Sequence, residues 1–140
     1  MAGKKCAALL DSGPLVALLD ARQATHAWAA DQLRHLTAPL LTCEAVLSET
    51  LFLLQHSRRA TEQIQAWRRN GLLACWGGFD NSADEVFTLM ARYESVPMSF
   101  ADACLVRMSE LWPKTPVFTL DSDFRIYRRN KRQVIPLIAP

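Results

Sequence analysis

Hydrophobic residues along the chain form five short apolar runs, separated by longer segments in which apolar and polar residues mix. The runs do not alternate strictly between apolar and polar positions, which is typical of strands covered on both faces of a parallel sheet. We therefore predict strands at residues 6–10, 39–42, 72–76, 117–120 and 134–138. Pro116 directly precedes the fourth run, where its missing N–H costs a strand least.

The longer segments predict helices, and several of them begin or end at residues that favour helix termini. Ser12, Thr25 and Ser99 are suitable N-caps, and Asn70-Gly71 is a typical stop signal. The predicted helices span residues 12–19, 26–36, 44–56, 61–69, 82–93 and 99–111, with a short one at 122–129.

Strands that alternate with helices predict an α/β fold in three layers, α/β/α, around a five-stranded parallel sheet. The length of 140 residues favours one domain over residues 1–140. Strand order does not follow from the pattern. If the first and fourth strands are neighbours, Asp11 and Asp121 meet at a switch point, where open α/β sheets bind ligands.

The amino-acid composition limits the classes of protein to which the chain can belong. Half of the residues are hydrophobic and 21% are charged, which indicates a globular chain, and a net charge of +2 is too small to argue for nucleic acid by itself. No apolar run approaches the length of a membrane span, and residues 1–10 lack a full signal-peptide pattern, so we expect a strand there. The four cysteines form no C-x-x-C pair, which favours buried reduced thiols in a cytoplasmic protein over a zinc site.

Acidic residues stand at positions that the predicted fold brings together. Asp11 ends the first strand, Asp121 and Asp123 follow the fourth, and Asp102 lies in the first turn of the sixth helix. Two strand ends and a helix start therefore deliver carboxylates toward one edge of the sheet.

The third helix adds one more acid. Glu49 lies inside a very apolar segment, where an uncompensated charge would be costly. Glu44 lies five residues earlier, on a different face, at the helix start where an acid suits the dipole. We favour Glu49 as the acid that faces the site.

Each acid also has a purely structural interpretation. Asp11 could cap the helix after the first strand, and Asp102 could complete a capping box that begins at Ser99. Asp121 and Asp123 could be turn residues, and Glu49 could be exposed. For any one acid, the structural interpretation is at least as well supported as the functional one. If all were purely structural, their common placement toward one edge of the sheet would be a coincidence.

Four pieces of the sequence resemble PIN-domain proteins, and most nearly toxins of the VapC type. They are Leu10-Asp11-Ser12, Glu49 within residues 42–49, Asp102-Ala103 after residues 97–101, and the segment 119–124 that contains Asp121. The pieces occur in the family's order across nearly the whole chain. Each is weakly specific alone, and the four together are fairly specific.

The resemblance implies a ribonuclease that depends on Mg²⁺ or Mn²⁺, with strands one and four adjacent. It implies that Asp11, Glu49, Asp102 and Asp121 form the catalytic acidic quartet and hold the metal, with Asp123 as an optional fifth ligand. Ser12 and Thr119 would lie at the site edge, near the substrate.

The resemblance also implies an antitoxin partner, and we expect a homodimer. Apolar residues such as Leu15, Leu18 and Phe52 could form a groove for the antitoxin, although a run such as residues 51–54 is most often core. The alternative function is a catalytically weak module that binds RNA or a protein on the same fold.

The chemistry suits the residue types. Phosphodiester hydrolysis needs an activated water and a stabilised leaving oxygen, and hard divalent ions held by carboxylates supply both. The histidines lie on predicted helices away from the acids, and nothing indicates a covalent route.

A basic segment follows the acidic strand end. It contains Arg125, Arg128, Arg129, Lys131 and Arg132. These residues could be a solvated helix face or a rim that contacts the RNA phosphates, and the sequence favours neither.

Overall fold

Five short parallel strands form the central sheet of the computed structural model, which describes residues 6–37 and 39–140. The strands are β1 (Ala8–Leu10), β2 (Leu40–Cys43), β3 (Leu73–Trp76), β4 (Val117–Phe118) and β7 (Leu137–Ile138). Their order is β3-β2-β1-β4-β7, and every pairing is parallel. The predicted three-layer α/β/α fold is confirmed. Residues 1–5, which precede the predicted first strand, lie outside the described residues.

Six helices connect the strands, in the predicted order. They are α1 (Ser12–Leu19), α2 (His26–Arg34), α3 (Glu44–Leu53), α4 (Arg58–Arg69), α5 (Phe79–Arg92) and α6 (Phe100–Leu111). The third helix ends at Leu53, before the predicted end at residue 56. Along the described part of the chain, no helix has the length and apolar character needed to cross a membrane.

The core lies where β1, β4 and α6 meet. Leu9, Leu10, Val117 and Phe118 are fully buried, which confirms that the central strands are covered on both faces. Helix α6 contacts both β1 and β2 and buries seven of its twelve residues. Such burial makes α6 a rigid support for the residues at its first turn.

The segment after β4 differs from the prediction. A 3₁₀ turn covers only Ser122–Arg125, and the chain then forms an antiparallel hairpin of β5 (Arg128–Arg129) and β6 (Gln133–Val134). The predicted helix at 122–129 is therefore wrong beyond the turn. Asn130 and Lys131 adopt positive φ angles of 47° and 72°, which reverse the chain and which a helix does not allow.

The predicted last strand is also shorter than expected. Pro136 separates β6 from β7, so residues 134–138 supply the ends of two different strands. A proline cannot donate to a strand ladder, which explains the break.

Arg129 is part of the interior, because only 9% of it is exposed. Its Nη1 donates to the carbonyl of Ser109 and its Nη2 to that of Pro113, each at 2.7 Å. These carbonyls lie at the end of α6 and just beyond it, where the helix dipole favours a cation. The prediction that Arg129 contacts RNA phosphates is therefore wrong, since its guanidinium holds the hairpin to α6.

The four cysteines are free. Cys43 and Cys104 are buried and Cys6 is half-buried, as expected. Cys75 is exposed, because β3 is an edge strand, so the predicted burial of all four thiols is wrong at this position.

We expect Arg129→Gln to lower the free energy of unfolding by about 2–4 kcal/mol, because the shorter amide cannot serve both carbonyls with charge-assisted hydrogen bonds. Urea unfolding of the purified chain measures this. Arg132→Gln, in the exposed turn of the same hairpin, is the matched control and should change stability by less than about 0.5 kcal/mol. Equal unfolding midpoints for the two variants would contradict the structural role of Arg129.

Candidate active site

The register between β1 and β4 brings the two strand-end acids to one edge of the sheet. Leu10 lies opposite Phe118, so Asp11 and Thr119 are the next residues beyond the paired strands. The Thr119 hydroxyl donates to Oδ2 of Asp11 at 2.6 Å and accepts from the backbone N–H of Asp121 at 2.9 Å. This one hydroxyl therefore links the ends of both strands.

Asp11 is a buried carboxylate with both oxygens hydrogen-bonded. It is the N-cap of α1, in place of the predicted Ser12, and its Oδ1 accepts from the Ser12 N–H at 2.7 Å. The pKa of Asp11 is raised to about 6, mainly by burial and to a smaller extent by the charges of Asp102 and Glu49, against the lowering effect of these hydrogen bonds. Asp11 is thus both a helix cap and a member of a charged cluster.

Glu49 reaches the site from α3. The Ser12 hydroxyl donates to its Oε1 at 2.5 Å, which ties α3 to the start of α1. Glu44 instead lies near Cys75 on the edge strand β3. Its charge contributes to the raised pKa of Cys75, although burial has the larger effect. The structure therefore brings Glu49, and not Glu44, beside Asp11.

Asp102 lies in the first turn of α6 and completes the capping box with Ser99. Its Oδ2 accepts from the Ser99 N–H at 3.2 Å, while its own N–H donates to the Ser99 hydroxyl at 3.0 Å. The pKa of Asp102 is raised, mainly by burial and further by the charge of Asp121. The structural interpretation of Asp102 is correct, and the residue still lies within reach of the other acids.

The segment after β4 supplies two further acids. Asp121 caps the 3₁₀ turn, and its Oδ1 accepts from the Asp123 N–H at 2.9 Å. The buried Tyr127 has a raised pKa, caused first by burial and then by the charges of Asp102, Asp123 and Asp121. All five predicted acids therefore lie in one region.

No Lys, Arg or His among residues 6–37 and 39–140 forms an ion pair with this acidic cluster. The ion pairs in the described part of the chain are Arg22 with Asp20, Arg34 with Asp31, and Arg107 with Glu85 and Glu110; none involves the cluster. Carboxylate oxygens without a cationic partner fit a hard divalent ion in their chemistry. Within residues 6–37 and 39–140, however, no group of three Asp, Glu, His or Cys side chains is arranged so that it could hold a metal ion.

The remaining predicted site residues differ in their access to substrate. Thr119 is fully buried, so its hydroxyl positions Asp11 instead of lying open at the site edge as predicted. Arg125 is exposed and donates to the carbonyl of Pro140 at 3.3 Å. Arg128 is half-buried and directs Nη1 at the carbonyls of residues 125–127.

Tyr127 is a site residue that the sequence did not indicate, and its hydroxyl donates to Oδ2 of Asp102 at 3.1 Å. It lies in the stretch assigned to a helix, where an aromatic residue carries no functional signal. A large cavity of about 810 Å³ lies elsewhere, over β2 and β3, and its lining includes Trp76, Arg107 and Trp112 but none of the five acids.

Comparison with known proteins identifies a family and similar solved structures. The family model of the PIN domain matches residues 8–130. The fold is similar to the crystal structure of Mycobacterium tuberculosis VapC20, described as a toxin that cleaves the sarcin-ricin loop, with a TM-score of 0.75 and 21% sequence identity. The similarity covers 84% of this chain and 92% of that one. No curated protein sequence matches significantly.

The raised pKa of Asp11 predicts how the free energy of unfolding depends on pH. The carboxyl titrates at about 6 in the folded chain and at an ordinary value near 3.8 when unfolded, so its ionisation opposes folding increasingly from about pH 3.8 and fully above about pH 6. We expect Asp11→Asn to raise the free energy of unfolding by roughly 2–3 kcal/mol at pH 7.5 without divalent ions, and by progressively less as the pH falls toward 4.

Denaturant unfolding across this pH range, in the presence of a chelator, measures the effect. Asp84→Asn, an exposed carboxylate on α5, is the control and should show no such pH-dependent gain. A gain at Asp11 that is independent of pH, or a loss at pH 7.5, would contradict the destabilising charge.

Proposed function

The chain belongs to the PIN-domain family, and from this membership and the geometry of its acids we propose that it is a Mg²⁺- or Mn²⁺-dependent endoribonuclease. The observation that carries the proposal is the cluster of carboxylates from four separate segments at one sheet edge, where no cation of the described residues forms an ion pair with them. Members of this family are typically metal-dependent ribonucleases, and the donor chemistry here suits that activity.

We assign the metal-holding role to Asp11, Asp102, Asp121 and Glu49, with Asp123 as an additional ligand. A bound ion would acidify a water molecule and offset the charge of the scissile phosphate. Thr119 orients Asp11 and Ser12 orients Glu49 through their hydroxyls.

Glu49 is the most accessible acid of the quartet, and Ser12 occupies only one of its oxygens. Its other oxygen is therefore suited to accept a proton from the attacking water. Substrate phosphates would approach from the side of Arg125 and Arg128, which, unlike Arg129, are at least partly accessible.

We further propose that the chain is the toxin of a toxin–antitoxin module. The fold likeness to VapC20 supports this, although at 21% identity it extends to the fold alone, so the RNA target of that protein does not transfer. A toxin needs a protein surface where an antitoxin binds, and the end of α3 offers one.

Three consecutive apolar residues are exposed there: Leu51 at 37%, Phe52 at 68% and Leu53 at 60%. Consecutive helical residues point about 100° apart, so their joint exposure means that this end of α3 projects from the body. The interpretation of the run 51–54 as core is therefore wrong for these three. Leu15 is fully buried and unavailable to a partner, so the proposed surface centres on Phe52.

We also propose that two copies of the chain form a homodimer. Phe79, Phe87 and Phe100 form a partly exposed aromatic cluster on α5 and α6, with ring centroids 5.3–6.4 Å apart. Exposed apolar clusters commonly mark association surfaces, and we place the contact between two copies there.

We expect the wild-type chain to cleave RNA only with Mg²⁺ or Mn²⁺, and Asp121→Asn to reduce the rate at least about 100-fold, because the change removes a charged ligand and keeps the size of the side chain. Time courses on defined RNA, with each ion and with a chelator, measure this. Asp84→Asn is again the control and should cleave at the wild-type rate. Metal-dependent RNA binding without cleavage would favour the alternative, a binding module on the same fold.

The toxin assignment predicts that expression of the chain arrests growth, and that the protein encoded next to it relieves the arrest. Phe52→Glu should abolish this relief, because a charge on the projecting helix end opposes apolar contact with the partner. Val134→Glu, at an apolar residue of similar exposure (66%) on β6, should leave relief intact. Harmless high-level expression of an active wild-type nuclease would contradict the toxin role and leave a stand-alone enzyme.

A further inference from the structure

The side chain of Tyr127 is fully buried, yet its hydroxyl ends at the acidic cluster. Burying a tyrosine hydroxyl is costly unless it finds a hydrogen-bond partner. Here the partner is Oδ2 of Asp102, at 3.1 Å. The ring of Tyr127 therefore lies in the apolar interior, while its hydroxyl contacts one of the proposed metal-holding carboxylates.

Neighbouring aromatic rings fix the ring of Tyr127. Tyr93 packs edge-on with centroids 5.2 Å apart, and Phe124 packs edge-on at 5.3 Å. The backbone N–H of Tyr127 donates to the carbonyl of Asp123 at 3.1 Å. The hydroxyl therefore has little freedom, and the segment that carries Asp121 and Asp123 also delivers it.

The carboxylate of Asp102 is held unequally at its two oxygens. Oδ2 accepts from the Ser99 N–H at 3.2 Å and from the Tyr127 hydroxyl at 3.1 Å. Oδ1 accepts no hydrogen bond from any residue that the structure describes. Two donors on one oxygen fix the rotation of the carboxylate and leave the other oxygen available.

We propose that Tyr127 is a positioning residue that orients Asp102, so that Oδ1 is available to a divalent cation. The inference rests on the proposed function, because it concerns the same site. Groups that hydrogen-bond to metal ligands typically change metal affinity by about 10–100-fold when they are removed. Tyr127 is thus the counterpart of Thr119 at Asp11 and of Ser12 at Glu49.

The test is Tyr127→Phe, which keeps the ring contacts and removes only the hydroxyl. Calorimetric titration with Mn²⁺ should show affinity weaker by about tenfold, the lower end of the range for such groups. RNA cleavage should need correspondingly more Mn²⁺ and recover toward the wild-type rate at saturation. Thermal unfolding without metal should change little.

Tyr93→Phe is the matched control, because it removes a hydroxyl from the other ring of the same pair. That hydroxyl accepts from the Arg128 N–H at 2.9 Å and contacts no acid. We expect lower stability and unchanged Mn²⁺ affinity, the reverse of the Tyr127 variant. A merely structural role for Tyr127 would make the two variants alike.

A second measurement does not depend on folding of the Tyr127 variant. The chain has two tyrosines, so a tyrosine ultraviolet difference signal on Mg²⁺ addition that survives Tyr93→Phe belongs to Tyr127. Wild-type protein that binds Mn²⁺ with no such signal, or a Tyr127→Phe variant of wild-type affinity, would overturn the positioning role alone. Wild-type protein that neither binds Mn²⁺ nor cleaves RNA would overturn the proposed function and this inference with it.

Discussion

The structure has to hold several carboxylates at one sheet edge against their mutual repulsion. It does so with internal hydrogen bonds that fix each side chain: Thr119 and Ser12 N–H on Asp11, the Ser12 hydroxyl on Glu49, Tyr127 and Ser99 on Asp102, and the Asp123 N–H on Asp121. These bonds favour the ionised forms but do not fully offset burial, as the raised pKa of Asp11 indicates. The remaining negative charge is what a cation would stabilise.

The rest of the fold supplies the rigidity that this arrangement needs. Parallel pairing of β1 with β4 sets the relation of Asp11 to Thr119, and a shift of one residue would turn Thr119 to the other face. The buried helix α6 fixes Asp102 at its first turn, and Arg129 holds the following hairpin to the end of the same helix. The core, the hairpin and the acidic cluster therefore depend on one another.

Much of this could be predicted from the sequence, because strand runs and helix caps are local signals. The structural and functional interpretations of the acids turn out to be compatible: Asp11 caps α1 and Asp102 completes a capping box while both lie in the cluster. The adjacency of the first and fourth strands came from a family resemblance and not from the pattern, since apolar runs do not indicate which strands pair.

The incorrect predictions concern residues whose structure is determined by tertiary contacts. Arg129 looks like its basic neighbours in sequence, and only carbonyls about 20 and 16 residues away explain its burial. Positive φ angles at Asn130 and Lys131 turn an apparent helix into a hairpin, and that hairpin places Tyr127 where no periodicity would indicate it. The exposed end of α3 is the opposite case, because an apolar run that predicts core lies at the surface.

The burial of Arg129 also changes the electrostatic picture of substrate binding. The net charge of +2 is too small to attract RNA strongly. Of the arginines that follow the acidic strand end, Arg129 is used inside the protein, and Arg128 directs part of its guanidinium at backbone carbonyls. A phosphate at the acidic cluster itself would meet negative charge that no ion pair of the described residues offsets. If the proposed divalent ion binds there, its charge would offset that of the carboxylates, so metal and substrate binding are expected to be coupled through this charge.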